Sequence, residues 1–155
     1  MTRSGLLMLA VALMLLPLAC SSPEPTRPQR TATEAQATIG PSTFDAQLAA
    51  AGSAITLFHV RLDLRNYRGI YAMTDDTFRA ATNEVQMTAM LTSLRDRLGR
   101  SLSLDELSYE LVDRSPDVQI TFMIETAFEN GTLIETFVWR VTPSEMVYLV
   151  SYTTR

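Results

Sequence analysis

Residues 118–141 commit the chain to an antiparallel hairpin. A run from Val118 to Glu129 and a second from Thr132 to Val141 are rich in Ile, Phe, Val and Thr, and they flank Asn130-Gly131. An Asn-Gly pair between β-rich runs is the strongest short-range hairpin signal, because both residues tolerate positive φ. A two-residue turn there sets Phe128 opposite Leu133, Thr126 opposite Glu135, Ile124 opposite Phe137, Phe122 opposite Trp139 and Ile120 opposite Val141. Strand side chains alternate between faces. One face therefore gathers Ile120, Phe122, Ile124, Phe128, Leu133, Phe137, Trp139 and Val141. Burying these large side chains is worth at most about 12–24 kcal/mol before entropy. Such a face requires an amphipathic cover from elsewhere in the chain.

The preceding residues supply helices. Ser42-Thr43-Phe44-Asp45 reads as a helix start, and the pattern stays helical to Asn66. Ile55, Phe58 and Leu62 form one apolar stripe, and Leu57, Val60 and Leu64 form another on the opposite side. A helix apolar on both sides is packed on both sides or covered by a partner. Tyr67–Met73 is short and apolar; Thr74-Asp75-Asp76 caps a turn that carries Phe78 and Arg79. Asn83 and Gln86 have capping-box spacing. The helix they open carries Met87, Met90, Leu91, Leu94 and Leu98 and stops at Gly99, a good residue beyond a helix end. This helix, with the segment around Phe58, is the expected cover for the hairpin.

Ser101–Asp113 reads as a strand with an irregular start, and Met146–Thr153 as the last strand after a turn at Thr142-Pro143-Ser144-Glu145. Helices followed by a four-stranded antiparallel meander define an α+β fold, with the N-terminal helices on one face of the sheet.

The N-terminus is a processing segment. Arg3 provides the positive charge, Leu6–Leu16 the apolar stretch, and Leu18-Ala19-Cys20 the end. That end resembles the lipobox of bacterial lipoprotein signal peptides, in which the cysteine is lipidated. The single cysteine of the chain sits there, so Cys20 is assigned to lipidation and not to redox or metal chemistry. Ser21-Ser22 after it, with no Asp, implies by analogy an outer-membrane lipoprotein facing the periplasm. Residues 1–19 are thus a signal peptide and 20–42 a tether. The tether holds Pro23, Pro25, Pro28 and Pro41 among polar residues and reaches about 25 Å as a coil. Residues 43–155 form one domain. All 13 basic residues are Arg and the net charge is −4. No basic patch supports nucleic-acid binding.

Tyr67, Tyr71, Thr74, Phe78 and Arg79, then Leu91, Arg95, Leu98 and Gly99, then Phe128, Asn130, Gly131, Glu135 and Thr136 together resemble an uncharacterised domain of bacterial secreted proteins and lipoproteins. That family is similar to the nuclear-transport-factor-2-like (cystatin-like) superfamily. The resemblance implies a cone of helices wrapped by a curved four-stranded antiparallel sheet over residues 44–155. It brings no established catalytic residues. The family's last hairpin commonly has a Gly-Trp turn and a closing Gly-Tyr, where this chain has Pro143-Ser144 and Ser151-Tyr152.

Candidate chemistry is sparse. His59, the only histidine, and Asp63 are four apart on a helix and can meet as an acid/base pair. Their place beside the Ile55/Phe58/Leu62 stripe suggests a polar pair at its rim. Glu135 falls on the apolar hairpin face, either as a base at a pocket mouth or near the tip where water reaches it. Phe58, Phe122, Ile124, Phe137 and Trp139 are either core or the lining of a ligand cavity. No metal cluster, phosphate loop or nucleophile motif is present, so no cofactor or metal is expected. The preferred reading is a non-enzymatic envelope lipoprotein that binds a protein partner or a small apolar ligand. The rival is a small acid/base enzyme (lyase, isomerase or hydrolase) with its site inside the cone.

Overall fold

A computed structural model describes residues 43–155. The expectations for residues 1–42, including the leader, Cys20 and the tether, lie outside the described residues. Among the described residues four helices precede four strands: α1 (Thr43–Asp63), α2 (Tyr67–Tyr71), α3 (Asp76–Ala81), α4 (Glu84–Leu98), β1 (Ser101–Arg114), β2 (Asp117–Phe128), β3 (Gly131–Val141) and β4 (Val147–Thr154). The strands form one antiparallel sheet in the order β1-β2-β3-β4, so the α+β class expected from the sequence holds. Among the described residues no helix is long and apolar enough to cross a membrane.

Local chemistry sets the helix ends. Asp75 caps α3 by accepting from Phe78 N–H at 2.8 Å. Asn83 and Gln86 close a reciprocal capping box on α4, which satisfies two otherwise orphaned donors. Gly99 ends α4 at φ 78°, a conformation that glycine adopts without a Cβ penalty.

The hairpin has the expected faces but not the expected register. Ile120 pairs with Trp139, Phe122 with Phe137, Ile124 with Glu135 and Phe128 with Gly131. The pairing is displaced by two residues from an Asn-Gly turn. The tip is Glu129-Asn130, and Gly131, at φ 151°, opens β3. A shift of two conserves every face because side chains alternate with period two. The tip is fixed from outside: Glu129 N–H donates to Arg100 O at 3.0 Å and Asn130 N–H to Leu98 O at 2.9 Å. Arg100 N–H donates to the Glu129 carboxylate at 2.9 Å. These bonds to the α4–β1 corner outweigh the local preference of Asn-Gly for the turn centre.

The cover also differs from expectation. α1 lies on β2, β3 and β4, and α3 packs on β4, while α4 packs on α2 and α1 behind them. The Met87–Leu98 helix therefore contributes to the core chiefly through the other helices. The backbone of the α2–α3 link is tied to β4 by Asp75 N–H to Leu149 O (3.0 Å) and Leu149 N–H to Met73 O (2.8 Å). β1 is an edge strand with register shifts after Ser101 and after Glu106, and most of it is exposed. Breaks of this kind and charged side chains discourage edge-to-edge pairing.

Candidate functional site

Glu135 is the centre of the polar structure inside the domain. Alternation along β3 places it on the helix-facing side between Leu133 and Phe137, and it is fully buried. A carboxylate cannot stay there without donors. Three elements supply them. Tyr152 on β4 donates its hydroxyl to Glu135 Oε1 at 2.5 Å. Thr126 on β2 donates its hydroxyl to Oε2. His59 on α1 brings Nε2 to 3.2 Å from Oε2, too obliquely for a hydrogen bond, and its Nδ1 has no partner among the described residues. Burial first, then the Glu135 charge and its hydrogen bond, push the Tyr152 hydroxyl well above its ordinary value. It stays protonated as the donor.

Two sequence expectations change here. Glu135 does not reach water near the hairpin tip. The two-residue shift and the α1 cover seal it, and its register partner is Ile124, not Thr126. Thr126 instead reaches it diagonally. His59 and Asp63 are not a rim pair. His59 is only 3% exposed and turns inward to Glu135. Asp63 accepts from Ser101 N–H (3.1 Å) and Ser101 hydroxyl (2.9 Å), with Arg95 Nε 3.6 Å away. A signal for His59 existed: Ile55, Phe58, His59 and Leu62 stand at i, i+3, i+4 and i+7, which makes His59 a member of the buried stripe. Tyr152 and Thr126 had no such signal, because their role depends on which strands become neighbours.

The five side chains considered as ligand lining form packed core. Phe58, Phe137 and Trp139 are fully buried; Phe122 and Ile124 are 2% and 4% exposed. Phe58 meets Phe137 edge to face at 5.1 Å and Tyr152 at 5.0 Å, and Phe137 stacks on Trp139 at 6.0 Å. Phe122 therefore faces Phe137 across the hairpin, not Trp139. Its ring neighbour is Tyr109 on β1, at 6.0 Å.

Chemistry at this centre is constrained by access. Both imidazole nitrogens are out of contact with solvent, and a general base must come within hydrogen-bond reach of the proton it takes. His59 nonetheless lines the inner wall of a groove of about 290 Å³ between α1 and the start of β1. A larger depression, about 520 Å³, lies on the other flank of α1 against Met73, Glu145 and Val147. Among the described residues no three His, Cys, Asp or Glu side chains converge to hold a metal ion. Arg140, on the opposite sheet face, donates to Asp117 at 3.0 Å, stands 3.6 Å from Asp75 and lies over the Tyr148 ring, and it makes no pair with Glu125. No known family model matches this chain, and no curated protein is detectably similar to it.

Proposed function

We propose that this chain is a cell-envelope lipoprotein, anchored through Cys20, whose domain is a non-enzymatic module that binds a protein partner. The observation that carries the reading is the two-sided helix α1. Its inner stripe of Ile55, Phe58 and Leu62 is buried, while Leu57 and Val60 on the outer side are 41% and 48% exposed, and Leu64, just past its end, is 73% exposed. Leu102, 67% exposed, begins β1 beside them. Exposed apolar side chains grouped on one face suit a protein interface. The filled interior weighs against a ligand held within the domain, and the resemblance to a cystatin-like cone belongs to the same reading.

The acid/base reading draws its support from His59 beside Glu135, a carboxylate behind an imidazole. The sealed nitrogens leave a substrate no approach in this conformation, so binding is the better fit.

A photo-crosslinking residue at position 64, placed in the full chain in intact cells, tests the proposal. One discrete protein adduct is expected, absent when the residue sits at Arg97 and lost with Leu57→Asp. No adduct at 64, or the same adducts from 97, would overturn it. Cys20→Ala should abolish lipid labelling and release the chain from the membrane fraction; retention in that fraction would refute the anchor.

A further inference from the structure

The depression on the Met73 flank of α1 has an apolar floor and an unpaired charge of opposite sign at each end. Ala54, Leu57, Met73 and Val147 floor its volume of about 520 Å³. Arg61 stands at one end. Its guanidinium donates to Gly69 O at 2.7 Å, which fixes the cation and leaves its other N–H groups open. Glu145 stands at the other end, in the turn between β3 and β4. Gln47, near the start of α1, holds that turn by donating to Thr142 O at 3.3 Å. Glu145 N–H donates to the same Thr142 O at 2.9 Å, and its backbone takes φ 61°, a conformation that residues other than glycine seldom adopt. The turn thus sets where the carboxylate projects from. Among the described residues neither Arg61 nor Glu145 forms an ion pair, with each other or with a third group.

Length and charge select the occupant. The α1 wall of the depression runs from Ala50 to Arg61, about three turns or about 16 Å at a rise of about 1.5 Å per residue. An extended chain covers that distance in about five residues at about 3.3 Å each. A fatty acid would bring an anion to Arg61 and leave Glu145 facing hydrocarbon. A single amino acid carries both charges, but too close together to reach both ends. A short extended segment, apolar in the middle and oppositely charged at its ends, covers the floor and meets both charges with complementary ones.

We propose that this depression seats an extended segment of the protein partner, apolar in its middle, with an acidic side chain on Arg61 and a basic one on Glu145. The inference rests on the partner-binding reading, since Leu57 belongs to both surfaces.

The probe is the peptide acetyl-Lys-Leu-Val-Leu-Glu-amide, titrated by calorimetry into the full chain in lipid nanodiscs, with empty nanodiscs as the blank. Two comparators carry Lys at both ends or Glu at both ends. Saturable binding is expected for the mixed peptide, weakened about tenfold in either comparator, where one end meets a like charge. Glu145→Lys, a change on an exposed turn, should transfer the preference to the peptide with Glu at both ends at an unchanged thermal midpoint. Arg61→Glu should transfer it to the peptide with Lys at both ends, an exchange that a merely structural bond to Gly69 would not produce. In cells, Glu145→Lys should reduce the position-64 adduct. No saturable binding, or no exchange of preference in Glu145→Lys, overturns the assignment of the depression, while an adduct at 64 leaves partner binding intact. An exchange of preference with an adduct indifferent to Glu145→Lys overturns the partner as the source of the segment.

Discussion

Ile124 has a glutamate on each side of it in the sheet: Glu106 on β1 and Glu135 on β3. They occupy one row, yet Glu135 is fully buried and Glu106 is exposed. Glu135 lies under α1, with Thr126 and Tyr152 donating to it and His59 beside it. Glu106 stands on the edge strand at a register shift, its side chain without a hydrogen bond or ion pair among the described residues. The sheet alone does not decide what a carboxylate does. The element above it and the donors beside it decide, and they differ one strand apart.

The contrast can be broken most severely by Glu135→Ala. That change leaves the Tyr152 and Thr126 hydroxyls buried with no acceptor and takes the carboxylate away from beside His59, and removing one member of a buried pair costs about 3–5 kcal/mol. Urea denaturation monitored by Trp139 fluorescence reads it; a loss below about 1 kcal/mol, no more than a typical neutral hydrogen bond contributes, would mean the cluster is not holding the domain together. Tyr152→Phe removes one hydrogen bond to a charged group, worth about 1.5–3 kcal/mol, in the same assay.

The pH dependence sharpens the point. The folded Tyr152 hydroxyl holds its proton above the ordinary tyrosine value of about 10. Its stabilisation is complete below that value. Above it the unfolded chain releases the proton and the folded chain does not, so stability falls as pH rises toward the folded value. Tyr152→Phe should flatten this alkaline loss relative to the unchanged protein; equal slopes would contradict the buried phenol. The smallest effect belongs to Glu106→Ala, expected within about 0.5 kcal/mol. A larger change would show that β1 is more constrained than its exposure implies.

Much of this was legible in the residues. Alternation identified both hairpin faces, capping signals located α3 and α4, and helical spacing separated the two stripes of α1. What was not legible depends on contacts distant in sequence. The Asn-Gly pair specifies a tight turn locally, but the α4–β1 corner holds Glu129 and Asn130 and moves the pairing by two residues. Glu135 was placed on the right face and given the wrong surroundings, because α1 and Tyr152 come from opposite ends of the domain. His59 reads as peripheral because it borders the Ile55/Phe58/Leu62 stripe with Asp63 further out, and only the packing of α1 on the sheet brings it against Glu135.

The hairpin tip that first suggested the fold sits against a corner with no spare room. A Cβ on Gly99 would come within 2.5 Å of the Glu129 carboxylate and 2.8 Å of its Cβ, at a backbone angle side chains rarely adopt. Lengthening either loop would therefore disturb the other. For anyone fitting a label or an epitope into this protein, the obvious turn is the wrong one. The exposed Pro143–Met146 segment at the other end of β3 is the place to cut and paste, wherever the Glu145 depression can be given up.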